Sequence, residues 1–344
     1  MATLKDVAQK AGVTVTTVSR MLNNRVNISE RTRKKIMDAM KELDYQPNEL
    51  AQSLTKKRSN FIGLIVPSAK NFFFSQVIEY TEQAVVANGY KLLLCVSNLQ
   101  LEKELEYFGM LKANKVAGVI IASHTQNLRD YLSFDAPVVT IDRIISPDIP
   151  SICSDNYHGG ELAAEHLLGR GCTSLVYLSG SAGLDMDANK RFLGFRDTCE
   201  KAGMESPLFI DASEESFISM HYEAMIEELF YTHPGIDGVF TSNDIMAAQL
   251  VQYLSAQGKR VPEDVKVIGY DDTDLAALCT PPLTTIHQPV KEICSAAVDY
   301  ITDALNAADT AKASRSAHGP ASGGRTMLPQ SVMFPVSLIR RGTA

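Results

Sequence analysis

From Phe61 onward the chain alternates between two kinds of segment, and this alternation constrains its fold more than any other feature. Apolar runs of strand length at 61–66, 91–96, 116–121 and 138–141 are separated by stretches of helical spacing such as 76–88 and 101–113. Strands and helices that alternate in this way build βαβ units and a parallel sheet. A second series follows, with apolar runs at 174–178, 208–210, 238–240 and 265–268 and helical segments near 186–202, 214–231 and 244–257. Two doubly wound halves in one chain place ligands at the carboxyl ends of their strands.

Polar residues gather at those strand ends. Pro67-Ser68 and Asn71-Phe72-Phe73-Phe74 follow the first apolar run, and Asp142-Arg143 follow the fourth. In the second half, Arg191 follows a glycine-rich turn, Asn243-Asp244 follow Thr241-Ser242, and Asp271-Asp272 follow Gly269-Tyr270. Carboxylates, an amide, a guanidinium and aromatic faces suit a neutral polyol, whose hydroxyls both donate and accept. Phe73 is equally a core residue by type. Asp155 with Asn156 is as well suited to cap a helix as to touch a ligand. Val77, Ile78, Thr81 and Val85 share a helix face that belongs to the core, to a dimer interface or to both.

The first 60 residues are different in kind. They carry twelve Lys or Arg against six Asp or Glu, a net of +6, whereas the remaining 21 bases and 34 acids leave −13 for residues 61–344. A basic head on an acidic body points to a polyanionic partner for the head. Leu4, Val7, Ala8 and Ala11 fall on one helix face, with Thr3 and Asp6 placed as a capping box. Gly12 breaks that helix and Thr14 can cap a second one, with Val18 and Leu22 inward. Ser29 can cap a third helix, to Leu43, whose Ile36, Met40 and Leu43 would close a three-helix core. Two short helices joined by a glycine turn make a helix-turn-helix. Val15, Thr16, Ser19 and Arg20 then face outward on its second helix, and Arg20 can donate a bidentate pair to guanine.

These residues carry a resemblance. Thr3-Leu4-Lys5-Asp6-Val7-Ala8, Ala11-Gly12-Val13-Thr14, Thr17-Val18-Ser19-Arg20, Asn23-Asn24 and Tyr45-Gln46-Pro47-Asn48 with Ala51 and Ser53-Leu54 are similar to the headpiece of the lactose-repressor (LacI/GalR) family of bacterial transcription regulators. The likeness continues through Gly63-Leu64-Ile65-Val66-Pro67, Arg191-Phe192-Leu193-Gly194-Phe195, Ser242-Asn243-Asp244 and Gly269-Tyr270-Asp271-Asp272. Those motifs resemble the periplasmic-binding-protein-like core of the same family.

The resemblance implies a helical headpiece at 1–46, a hinge helix and linker at 47–60, and an α/β core of two doubly wound parallel-sheet subdomains at 61–344. The first subdomain would comprise about 61–160 with 290–306, and the second about 161–288 with 326–341, the final strand running from Val332 to Arg340. The Ala-, Ser- and Gly-rich segment 307–325 is expected as a disordered loop. Thr3, Thr14, Val15, Thr16, Ser19, Arg20, Asn23, Asn48, Ala51 and Leu54 are the implied DNA-contacting residues, with Leu54 wedging a base step in the minor groove. Phe73, Asp142, Arg191, Asn243, Asp271 and Gln288 are the implied effector-binding residues.

The expected protein is a cytoplasmic homodimer, with a tetramer left open, that represses a carbohydrate-utilisation operon and binds operator DNA and a small sugar. Its core looks most similar to sucrose and fructoside operon repressors. Ribose, galactosides, sugar phosphates and purines remain open as effectors, and the sign of the response does not follow from the residues. No cofactor, catalytic residue or metal is expected. There is no G-x-G-x-x-G, P-loop, H-E-x-x-H or G-x-S-x-G, and the six cysteines lie far apart with no C-x-x-C pair. Those thiols are expected to be buried. A sugar-binding transport protein would use the same core, but the basic helical head has no place in one. With no run of about 18 apolar residues, no membrane partner is expected.

Overall fold

In a computed structural model of the chain, the first helix, α1 (Leu4–Ala11), starts at the Thr3–Asp6 pair. The Asp6 carboxylate accepts from the Thr3 amide at 2.7 Å, and the Asp6 amide donates back to the Thr3 hydroxyl at 3.4 Å. Gly12 then turns the chain at φ +66°, a conformation that glycine adopts without cost. Thr14 caps α2 (Val15–Leu22) by accepting from the Thr17 amide at 3.1 Å, and Ser29 caps α3 (Glu30–Glu42). The structure describes residues 2–22, 28–45, 58–123, 134–180, 183, 186–318 and 331–344. They belong to two units, Met1–Ser59 and Asn60–Ala344.

Val7, Ala8, Ala11, Val18, Met21, Ile36 and Ala39 form the centre of the first unit. Leu22, Met40 and Leu43, expected inward, are only half-buried. All three still pack against this centre, at its edge, while Val18 with Met21 and Ile36 with Ala39 supply its fully buried rows.

The second unit holds two six-stranded sheets. One has the order β11-β5-β4-β3-β1-β2, built from β1 (Phe61–Val66), β2 (Lys91–Val96), β3 (Gly118–Ile121), β4 (Val138–Ile141), β5 (Ser151–Ser154) and β11 (Ser331–Phe334). All its described pairings are parallel. The other has the order β12-β10-β9-β8-β6-β7, from β6 (Leu175–Ser179), β7 (Leu208–Asp211), β8 (Gly238–Thr241), β9 (Lys266–Asp271), β10 (Thr284–His287) and β12 (Ser337–Ile339), with only β12 antiparallel. Between the strands run α4 (Phe72–Ala87), α5 (Leu101–Ala113), α6 (Asn156–Gly169), α7 (Lys190–Lys201), α8 (Glu214–Ser219), α9 (Glu223–Thr232), α10 (Asp244–Ala256), α11 (Asp274–Leu278) and α12 (Val290–His318).

Both sheets reverse their winding beside their first strand, between β1 and β3 and between β6 and β8. These are the switch points at which open α/β sheets hold ligands.

Four expectations are corrected here. The final strand is two strands: Ser331–Phe334 joins the first sheet beside β5, and Ser337–Ile339 joins the second beside β10. Pro335 separates them, because its missing N–H cannot continue a ladder. Segment 307–325 is not a loop throughout, since α12 continues to His318; its alanines favour helix, and no glycine or proline intervenes before Gly319-Pro320. The stretch 214–231 is two helices, broken at Met220, which sits at φ +59°. Of the six cysteines, Cys153 and Cys279 are half-buried rather than buried.

Candidate functional site

On the head, α2 presents Val15, Thr16 and Arg20 to solvent, with Ser19 half-buried beside them. Thr3 and Thr14 are exposed too, but their hydroxyls are engaged as helix caps. Exposed Arg31, Arg33, Lys34 and Lys35 add four cations along α3. Of the residues singled out for DNA contact, Asn23, Asn48, Ala51 and Leu54 lie outside the described residues.

In the core, one cavity brings together Phe73 and Asp142 from the first half with Arg191, Asn243 and Asp271 from the second. Phe73, Asp142, Asn243 and Asp271 reach it from strand ends, and Arg191 from the first turn of α7. Asn71 caps α4 by accepting from the Phe73 amide at 2.9 Å, which fixes the first turn of the helix above β1. Phe73 packs edge-to-face on Phe74, with centroids 5.2 Å apart, and belongs to the first half's apolar cluster as well as to the cavity wall. Asn243 caps α10 through the Met246 amide, at 2.9 Å. Asp142 and Asp271 stand just beyond β4 and at the end of β9 with φ of +51° and +107°; the first is a left-handed conformation that Asp enters more readily than most residues, and the second lies outside that region. Strained backbone of this kind clusters at functional sites.

Arg191 organises the cavity floor. It is 6% exposed, and its Nε donates to the Asn156 amide oxygen at 2.7 Å while Nη1 donates to the Ser242 carbonyl at 2.6 Å. Nη1 also lies 3.9 Å from the Asp271 carboxylate. The close approach of α6 and α7 makes this possible: a Cβ on Gly194 would fall 1.9 Å from the Tyr157 carbonyl oxygen, and one on Gly160 would fall 2.0 Å from that of Arg191.

Gln288 does not line the cavity. Buried behind Asp271, it donates to that carboxylate at 2.7 Å and accepts from the Ser154 hydroxyl at 2.5 Å. It thus links the end of β5 in the first half to the end of β9 in the second. Asp155 resolves as a helix cap, accepting from the His158 amide at 3.0 Å.

The carboxylates are electrostatically costly. Burial pushes the Asp142 carboxyl up to about 6, against the pull of Arg191. Asp271 is raised well above the ordinary carboxylate range by burial, again opposed by Arg191. Buried Asp244 is raised too, although the Thr285 hydroxyl and the Thr273 amide and hydroxyl donate to it. Carboxyl oxygens kept dry beside one guanidinium can form strong bonds to hydroxyl donors once a ligand arrives.

Sequence reasoning missed Tyr177, Ser179 and Phe217 on the wall, and the role of Asn156 beneath it. Tyr177 is an interior strand position and Phe217 sits in a short helix, so neither carries a local signal. Asn156 was visible beside Asp155, but its bond to Arg191 spans 35 residues. Among the described residues no group of three His, Cys, Asp or Glu side chains is placed to hold a metal, and no helix is long and apolar enough to cross a membrane.

Residues 3–48 match the family model described as bacterial regulatory proteins, lacI family, and residues 164–322 match a periplasmic binding protein-like domain. The chain is 41% identical over 293 residues to the ribose operon repressor of Bacillus subtilis, covering 85% of this chain and 88% of that protein. It is 37% identical over 312 residues to the sucrose operon repressor of Streptococcus mutans, covering 91% and 95%. A solved structure of the lac repressor dimer bound to operator and the anti-inducer ONPF superposes with a TM-score of 0.78 at 26% identity, covering 99% of this chain and 98% of that one. With a helix-turn-helix head on a two-sheet ligand-binding core, and relatives alike over almost their whole length, the chain belongs to the LacI family of bacterial regulatory proteins.

Proposed function

We propose that this regulator represses a carbohydrate-utilisation operon as a homodimer, and that a small neutral sugar held between the halves of its core controls its affinity for operator DNA. The observation that carries the reading is the meeting of Asp142, Arg191, Asn243 and Asp271 in one cavity. Two buried carboxylates, a guanidinium and an amide supply acceptors and donors for vicinal hydroxyls, and the aromatic wall supplies a face for C–H groups. A phosphate in the same place would meet two carboxylates, which argues against a phosphorylated group there. The names of the sucrose and ribose operon repressors support the sugar class.

On the DNA side, Arg20 reads a base edge, Val15, Thr16 and Ser19 make the remaining groove contacts, and Thr3, Thr14 and Asn23 hold backbone. Asn48, Ala51 and Leu54 act in the minor groove, Leu54 as the wedge. A thermal-shift screen of the full chain against sugars, sugar phosphates and purines tests the effector class, since a ligand that binds only the native state raises its apparent stability. A shift with neutral sugars that Asp271→Ala abolishes supports the reading. A shift with purines or sugar phosphates alone overturns it.

A further inference from the structure

An asparagine amide can turn either its oxygen or its NH2 group to a neighbour, since the two ends differ little in size. Asn156 has to turn its oxygen to Arg191, because both groups on that side are donors: Arg191 Nε at 2.7 Å and the Tyr270 hydroxyl at 3.3 Å. The reverse orientation would set donor against donor where Asn156 is fully buried, and an unpaired buried donor is costly.

The other end of the amide decides the orientation. Asn156 Nδ2 donates to the Asp187 carboxylate at 3.0 Å and to the Ser154 carbonyl at 3.3 Å, and a bond from Asn156 also favours the charged form of Asp142. An ionised carboxylate accepts and cannot donate, so this end admits only the NH2 group. Asp187 is buried in the turn Asp187–Asn189 that leads into α7. Met186, Ala188 and Asn189 line the cavity, whereas Asp187 does not, and its side chain reaches Asn156 31 residues back. Its second oxygen pairs with Lys190, whose side chain reaches solvent.

We propose that Asp187 is a positioning residue for effector recognition: as an acceptor it fixes the Asn156 amide, and through that amide the guanidinium of Arg191 on the cavity floor. The inference rests on the reading above, in which Arg191 anchors the sugar, and adds a residue outside the cavity lining on which that anchor depends. The same carboxylate has two other effects, an ion pair with Lys190 and a charge that pushes the Asp142 carboxyl up. Asp187→Ala and Asp187→Asn remove that charge alike, but the second keeps an oxygen that can accept from Asn156. Lys190→Met removes the ion pair and leaves the acceptor in place.

Two measurements on the full chain test it. Calorimetry with ribose, fructose, glucose, galactose, sucrose, lactose and cellobiose reads binding, and the NMR exchange rate of the Arg191 Nε proton without ligand reads how firmly the guanidinium is held. Asp187→Ala should weaken whichever sugars bind wild type by about tenfold, the worth of one buried hydrogen bond, and should speed the exchange by about as much. Asp187→Asn and Lys190→Met should each stay within about threefold of wild type in both readings, a change of under 1 kcal/mol. Asp187→Leu, closer in size to aspartate, gives a second reading should the alanine variant fail to fold. If the asparagine variant loses as much as the alanine one, or Lys190→Met does, the charge or the ion pair matters and the positioning role is wrong. It is equally wrong if the alanine variant binds and exchanges as wild type does. If no sugar binds wild type, the sugar reading falls, while the exchange rates still decide whether Asp187 holds Arg191 in place.

Discussion

The guanidinium carbon of Arg191 lies 3.5 Å from the centroid of the Tyr270 ring, and both side chains bond to the same Asn156 oxygen, at 2.7 Å from Arg191 Nε and 3.3 Å from the Tyr270 hydroxyl. Cation, aromatic face and amide form one buried unit beneath Asp271. A residue held this fully is both part of the fold and part of the binding surface.

Arg191→Ala therefore removes more than a ligand contact. It leaves buried Asp142 and Asp271 without their cation, and breaking such a pair from one side costs about 3–5 kcal/mol. Arg191→Lys keeps the charge but not the two-pronged donation. We expect Arg191→Lys to recover part of the stability lost in Arg191→Ala while still failing to bind the effector. Urea midpoints beside calorimetry check this, and an alanine variant as stable as wild type would contradict the structural half.

Gly194 offers a test without touching any ligand atom. Gly194→Ala places a methyl against the Tyr157 carbonyl, forcing α6 and α7 apart. Overpacking of this kind costs about 1–3 kcal/mol, and it shifts Arg191 from Asn156. Lower thermal stability with weakened effector binding is the expected pair of results; unchanged values for both would mean that the helix contact does not position the site.

Asp142 sets a pH dependence. Its folded-state value of about 6 lies above the ordinary 3.8, so the folded chain binds the extra proton in that window. The stabilising contribution is complete below about pH 4 and is lost as pH rises through about 6, to a total of about 3 kcal/mol. Asp142→Asn should accordingly gain stability relative to wild type between pH 4 and pH 7 while losing effector affinity, since an amide cannot replace the charged acceptor. Parallel stability curves for the two proteins would place the charge elsewhere.

On the head, Arg20→Ala should cost about 1–3 kcal/mol of operator binding and relax discrimination at one base pair per half-site. Lys34→Ala should weaken all sequences alike and make the slope of log K against log[salt] shallower by about 0.9. Footprints and salt titrations on operator variants separate the two. If Arg20→Ala lowers every affinity equally, Arg20 is a phosphate contact and not a reader.

Local pattern made much of this architecture legible. The alternating runs located most strands, and the clustering of Asp142, Arg191, Asn243 and Asp271 at strand ends anticipated the cavity that joins them. What stayed hidden depends on pairing over long separations. Nothing near Ser331 indicates that Ser331–Phe334 and Ser337–Ile339 enter different sheets, because the choice is made by β5 and β10, each far back in the chain. Gln288 matched the family pattern, yet its place behind Asp271 is set by Ser154, 134 residues away. Met21 joins the centre of the head while Leu22 packs half-buried against it, because helix crossing as well as periodicity selects the contacting row.

The central claim, that a sugar in the cleft acts on operator binding, is tested most directly by measuring operator affinity against sugar concentration for wild type and Asp271→Ala, together with sugar affinity on and off the operator. Coupling between two sites is reciprocal. The account predicts that Asp271→Ala binds operator as wild type does but no longer responds to sugar. It also predicts that, in wild type, the factor by which sugar changes operator affinity equals the factor by which operator changes sugar affinity. A response that survives in Asp271→Ala, or a sugar that binds equally well to free and operator-bound protein, would contradict it.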